Sequence, residues 1–123
     1  SVATYYRLRL PALLPDVDRI IYLDSDIVVR GDIEDLWSQP LSASMAMAVE
    51  EPKSLNGNRL NSLGMRADSP YFNGGVLYMN LARMRETGFE QRAYDYIARN
   101  RAILTYLDQD VFIFFRVDLA HVA

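Results

Sequence analysis

The sequence has no cysteine, which excludes a disulfide framework and any thiolate metal site. Metal chemistry would therefore fall to oxygen ligands, with His121 as the single imidazole. Long apolar runs are also missing, and none approaches the roughly 20 residues that cross a bilayer. The opening Ser1-Val2-Ala3-Thr4-Tyr5-Tyr6-Arg7 lacks the charged start and continuous apolar centre of a signal peptide. It also lacks an initiator Met, so the chain reads as an excerpt or a trimmed product. An excess of positive charge is lacking too. Thirteen basic against 16 acidic residues leave a net charge of -3, which gives no electrostatic reason to expect nucleic-acid binding. A phosphate-bearing partner would have to be held locally, by a metal or a few positioned donors. No internal repeat, low-complexity tract or flexible linker is visible.

What is present suits one folded domain over residues 1–123. Half of the residues are hydrophobic, enough for a sizeable core. Ser1 can cap a first helix with Tyr5 and Leu8 on one face. Pro11 opens a second short helical piece over 12–14, and Pro15-Asp16 ends it. Arg19-Ile20-Ile21-Tyr22-Leu23 reads as a strand buried on both faces. Ile27-Val28-Val29 resumes strand-like composition, and Asp32 caps a short helix over 33–37. Residues 45–49 read as a strand and 53–69 as a long functional loop. A further strand is expected over 76–81, and a helix carries Phe89, Ala93 and Ile97 at helical spacing towards Asn100. Strands alternating with helices point to an α/β fold.

Asp24-Ser25-Asp26 stops the first strand abruptly. In α/β folds ligands gather at the rim where such strands end. Two carboxylates one residue apart repel unless a cation offsets them, and a hard divalent ion such as Mn²⁺ or Mg²⁺ takes oxygen ligands and bridges to phosphates. The spacing alone is weak, since Asp16-Val17-Asp18 and Asp108-Gln109-Asp110 repeat it. Context separates them. Asp16 and Asp18 follow Pro15 in a polar turn, whereas Asp24 and Asp26 follow an apolar strand with no turn-forming glycine or proline.

Asn73-Gly74-Gly75 is expected just before a strand. It fits either a backbone that approaches a ligand or a Gly-Gly turn whose Asn satisfies its own backbone. Asp108 is explained by helix capping as readily as by a site. By residue type alone Arg7 is a solvated surface residue, and His121 an ordinary packing or surface histidine.

Four stretches, in this order and spacing, resemble glycosyltransferase family 8, the family of glycogenin and of bacterial lipopolysaccharide galactosyl- and glucosyltransferases. They are Ala3-Thr4-Tyr5-Tyr6-Arg7-Leu8, Ile21-Tyr22-Leu23-Asp24-Ser25-Asp26, Phe72-Asn73-Gly74-Gly75-Val76 with Asn80-Leu81, and Asp108-Gln109-Asp110. The resemblance implies a GT-A-type α/β fold with a mixed, largely parallel sheet, of which 1–123 is the central part, incomplete at both ends. It implies a retaining, metal-dependent transfer of a hexose from a UDP-sugar to a saccharide or lipid-linked saccharide acceptor, as in lipopolysaccharide biosynthesis. Mn²⁺, or Mg²⁺ in its place, would sit on Asp24 and Asp26. Arg7, Asp24, Ser25, Asn73, Gly74, Asp108 and Gln109 would contact the donor, and Glu50 would lie near donor and acceptor. Gln109 would be the catalytic residue beneath the anomeric carbon, and a neutral amide there favours front-face transfer over a covalent intermediate.

The implied location is cytoplasmic, or peripheral at the inner membrane face. The family pattern also includes a preceding strand and a downstream histidine motif that His121 does not match. Ile113, within the apolar run to Phe115, replaces a polar Asn common after the acidic cluster. Two other readings remain beside it. One is a phosphohydrolase of the haloacid dehalogenase type, whose lysine Lys53 would be ill placed to supply. The other is a catalytically incomplete family remnant that acts as a binding piece.

Overall fold

A computed structural model of the chain describes residues 2–41, 45–50, 72–102 and 118–119. Its elements are α1 (Val2–Leu13), β1 (Arg19–Leu23), α2 (Glu34–Trp37), β2 (Ala46–Glu50), β3 (Phe72–Asn80), α3 (Leu81–Glu86), α4 (Phe89–Asn100) and β4 (Asp118–Leu119). The sheet order is β1-β3-β2-β4. β3 is antiparallel to both β1 and β2, and β2 is parallel to β4. Hence β1, β2 and β4 share one direction and β3 alone runs against them. The sheet is mixed and mostly co-directional, as expected, although two of its three pairings are antiparallel because β3 lies between neighbours.

Period-two alternation divides the side chains between two cores. Leu77 and Met79 of β3, Ala46 and Ala48 of β2, and Ile20 and Tyr22 of β1 join Leu8, Met84, Phe89, Ala93 and Ile97 of the long-helix layer. Tyr78, Ile21, Met47 and Val76 instead pack with Leu36 and Trp37 on the α2 side. The result is a sheet between two helical layers. On the α2 side, Arg19 stacks on Trp37 at 4.1 Å and donates to Tyr78 Oη at 2.7 Å, while Tyr78 donates to the Trp37 carbonyl.

Four expectations need correction. The first helix does not divide at Pro11 but runs through it to Leu13. Pro11 falls in the last turn, so it withholds only the donor that would reach the Arg7 carbonyl. The Leu14 N–H still closes on Leu10 at 3.0 Å. β1 has the expected bounds, yet it is half-buried with Arg19 exposed, since among the described residues it forms the sheet edge. Ile27-Val28-Val29 makes no strand, and Val28 is 80% exposed. β3 begins four residues earlier than expected and ends at Asn80, whose side chain accepts from the Arg83 N–H at 3.0 Å and starts α3. Asp32 accepts from the Glu34 N–H at 2.9 Å, the expected cap of α2, and β2 lies one residue beyond its expected bounds. The loop over 53–69 and the acidic-apolar segment from Asp108 lie outside the described residues.

Helix α1 is held at its C-terminal end by Arg85 of α3. Its guanidinium donates to the carbonyls of Pro11, Leu14 and Val17 at 3.1, 3.1 and 3.0 Å. Alongside, Arg9 pairs with Glu90 of α4 at 3.3 Å, and Tyr94 donates to the same carboxylate at 2.9 Å.

Two outcomes follow from these contacts. Arg85→Ala should cost about 3 kcal/mol in urea denaturation, and Arg85→Lys at least about 1 kcal/mol, because an ammonium cannot fork to three carbonyls. Burial, then the Glu90 hydrogen bond and charge, push the Tyr94 hydroxyl up from 10.0 to about 12. The fold therefore keeps a proton that the unfolded chain releases, so this contribution is complete below pH 10 and is lost as pH rises towards 12. A difference titration at the tyrosinate absorbance, wild type against Tyr94→Phe, should show one tyrosine ionising near the top of that window.

Candidate functional site

The Asp24 N–H donates to the Gly75 carbonyl at 2.8 Å, so the β1–β3 ladder continues one residue past β1. The strand alternation therefore continues too. Asp24 follows Ile20 and Tyr22 onto the α1 face, while Leu23 turns towards Val76 and Leu36. There the Tyr22 hydroxyl donates to Asp24 Oδ1 at 2.8 Å. Arg7 of α1 reaches the same oxygen through Nη2 at 2.8 Å and the Gly74 carbonyl through Nη1 at 2.9 Å. Its guanidinium also lies over the Tyr22 ring, 4.5 Å from the centroid. Burial first, and then the Asp24 hydrogen bond, raise the Tyr22 hydroxyl above its ordinary value, with the Arg7 charge opposing. It therefore stays a protonated donor at neutral pH.

The chain then turns. The Ile27 N–H donates to the Asp24 carbonyl at 3.1 Å, which makes 24–27 a β-turn with Ser25 and Asp26 at its exposed corners. Among the described residues, neither Ser25 nor Asp26 makes a side-chain hydrogen bond or ion pair, and the second oxygen of Asp24 is likewise unengaged. A largely apolar cavity of about 560 Å³ opens beside this turn, lined by Leu23, Ile27, Val29, Ile33 and Val76 among others.

Asn73-Gly74-Gly75 does not precede a strand but lies within β3. Opposite it, β2 pairs Ala48 with Leu77 and the adjacent Val49 with Asn73, so Gly74, Gly75 and Val76 form a bulge on β3. The two glycine carbonyls of the bulge accept from Arg7 and from the Asp24 N–H. Because β3 is reversed, its first residues meet the last residues of β1 and β2. Asp24, Asn73, Gly74 and Glu50 thus share one end of the sheet, the Asn73 and Phe72 positions pairing with Val49 and Glu50. Asp108, Gln109 and His121 lie outside the described residues.

Arg7 is not the solvated surface residue its type suggests, but is partly buried against Asp24 and the Gly74 carbonyl. Tyr22 was not singled out by the sequence reading. Its position two residues before Asp24 on one strand was the available signal, hidden because an aromatic residue in an apolar run reads as core. Asp24 and Asp26 are a donor set suited to a hard divalent cation, which takes one or two carboxylates and fills its other positions with water or phosphate oxygens. Among the described residues no group of three His, Cys, Asp or Glu side chains could hold an ion, so these two would be the protein's share there.

The model of "Glycosyl transferase family 8" matches residues 1–122. The chain belongs to glycosyltransferase family 8. The Escherichia coli K12 lipopolysaccharide 1,2-glucosyltransferase is 31% identical over 113 residues, covering 90% of this family 8 chain and 33% of that protein. The glycosyltransferase 8 domain-containing protein 1 of Xenopus tropicalis is 34% identical over 104 residues, covering 67% of the chain and 28% of its own length. Among solved structures, the galactosyltransferase LgtC in complex with donor and acceptor sugar analogs superposes with a TM-score of 0.88 at 30% identity. That match covers 98% of the chain and 45% of LgtC. The fold is therefore of the GT-A type seen in these family members. The chain spans about a third of the length of the curated relatives it matches. Membership also displaces the phosphohydrolase alternative.

The two acidic residues of the turn should differ in stability. Asp24→Ala strips Arg7 and Tyr22 of a shared acceptor and should cost about 2 kcal/mol. Asp26→Ala, exposed and without such partners, should stay within about 0.5 kcal/mol of wild type. Thermal or urea unfolding of the two variants reads the contrast directly.

Proposed function

We propose that the chain is the donor-binding portion of a retaining hexosyltransferase that uses a UDP-sugar and a divalent cation, Mn²⁺ or Mg²⁺. The observation that carries this is the cluster in which Arg7 and Tyr22 both bond Asp24 while Arg7 and the Asp24 amide bond the glycine bulge, at the sheet end where β1 and β2 terminate. Family membership and the likeness to LgtC bound to donor and acceptor sugar analogs support it.

In this reading Asp24 and Asp26 hold the cation, which supplies charge neutralisation for the departing diphosphate. Ser25 and Asp24 face the nucleoside part of the donor. Arg7, Asn73, Gly74, Asp108 and Gln109 orient the hexose, and Glu50 stands towards the acceptor. Arg7 adds a fixed positive charge beside Asp24, so the carboxylate does not repel the donor unopposed. Gln109, an amide and a poor nucleophile, leaves the acceptor hydroxyl to attack on the face the diphosphate vacates. The bond from the anomeric carbon to the diphosphate oxygen breaks, the acceptor oxygen takes its place, and the hydroxyl proton passes to the leaving oxygen.

The 1,2-glucosyltransferase relative supports a saccharide acceptor of the lipopolysaccharide type. Among the described residues no helix is long and apolar enough to cross a membrane. The reading assigns a cytoplasmic position, or a peripheral one at the inner face.

In the full-length protein, UDP with Mn²⁺ at about 100-fold over Kd should raise the unfolding midpoint by roughly 5 °C or more. UDP release from UDP-hexose with acceptor should fall at least about 100-fold in Asp24→Ala and Asp26→Ala. No midpoint shift and no turnover in the wild type would sink the reading in favour of a non-catalytic family remnant.

A further inference from the structure

We infer that Tyr22 is a positioning residue for the cation site: it locks one oxygen of Asp24 in place and leaves the other for the ion. This rests on the assignment of Asp24 as a cation ligand. A flexible carboxylate must give up conformational freedom to bind an ion. An aspartate at the start of an exposed turn can rotate freely about its side-chain bonds, and fixing it costs entropy that weakens ion binding. Groups behind a metal ligand that hold its orientation remove that cost.

Asp24 has two such groups, and both act on the same atom. The Tyr22 hydroxyl and the Arg7 guanidinium each lie 2.8 Å from Oδ1. With Oδ1 doubly engaged, Oδ2 is the oxygen left for a cation. The two holders are not equivalent. Arg7 is a charge that competes with a cation for Asp24, whereas Tyr22 orients the carboxylate without bringing a positive charge. Tyr22 also carries the guanidinium on its ring at 4.5 Å, which keeps Arg7 directed to Oδ1 and to the Gly74 carbonyl. One side chain therefore governs both the orientation of the ligand and the distribution of its partners.

The hydroxyl and the ring can be separated by substitution. Tyr22→Phe keeps the surface on which Arg7 lies and deletes only the hydrogen bond to Asp24. The test measures Mn²⁺ dissociation constants by the electron paramagnetic resonance signal of the free ion, on the full-length protein without nucleotide, alongside metal-free unfolding midpoints. Tyr22→Phe should bind Mn²⁺ about tenfold more weakly. Tyr94→Phe removes a comparable hydroxyl–carboxylate bond, to Glu90 on α4, and should keep wild-type affinity.

Wild-type affinity in Tyr22→Phe, with binding lost in Asp24→Ala, overturns this inference and leaves the proposed function standing. Equal weakening in Tyr94→Phe overturns it as well, because the effect would then be general destabilisation. Unchanged binding in Asp24→Ala, or none in the wild type, removes the ligand assignment itself and the inference with it.

Discussion

The hydrogen bond from the Asp24 amide to the Gly75 carbonyl decides where the Asp24 carboxylate is placed. It keeps residue 24 in strand conformation for one step beyond β1. Strand geometry then leaves no choice of side, and the carboxylate must join Tyr22 on the face covered by α1. Had the ladder stopped at Leu23, the turn would have been free to send the same carboxylate elsewhere. The glycine bulge is the other half of that bond. Gly74 and Gly75 are buried, and the extra residues on β3 give the backbone a local path whose carbonyls accept from Arg7 and from Asp24 at the end of β1.

Delivery of Arg7 depends on how α1 is seated. Leu8 is fully buried in the long-helix core and anchors the middle of the helix one residue from the guanidinium-bearing position. The three carbonyls gripped by Arg85 hold the far end, and the Arg9–Glu90–Tyr94 group ties the flank to α4. A long, flexible arginine is thus presented from a helix that can neither slide nor roll easily. Its fork then matches two acceptors at once, a carboxylate oxygen and a carbonyl, which a lysine in the same place could not do.

Much of the framework was legible because its signals are local. The apolar, β-branched run Arg19-Ile20-Ile21-Tyr22-Leu23 marked β1 to the residue, and the spacing of Phe89, Ala93 and Ile97 marked α4. What escaped depended on contacts distant in sequence. Pro11 looked like a helix boundary because its neighbours give no hint that Arg85 cares for the last turn. Asn80 read as the interior of a strand running to Leu81, although the strand ends there and its side chain starts a helix. The glycines read as a close backbone approach or as a turn, and not as a bulge, because a bulge is defined by the partner strand and not by the bulged residues.

The same division runs through the site. Asp24 was visible because an acidic residue stopped an apolar run. Arg7 was visible only through family resemblance, since nothing near it in the chain explains its burial, and Tyr22 passed for core.

The contact between Arg7 and Gly74 spans 67 residues of chain, while that between Tyr22 and Asp24 spans two. A nascent β1 can therefore bring hydroxyl and carboxylate together on its own, and Arg7, 17 residues from Asp24, needs only α1 seated beside it, whereas its second bond, to the Gly74 carbonyl, forms only once β3 has inserted beside β1. Contacts of such long range form at a high entropic cost and late in ordering. The second half of the arginine fork is thus a mark of completed topology: a collapsed but misregistered chain would leave one arm of the guanidinium without its carbonyl.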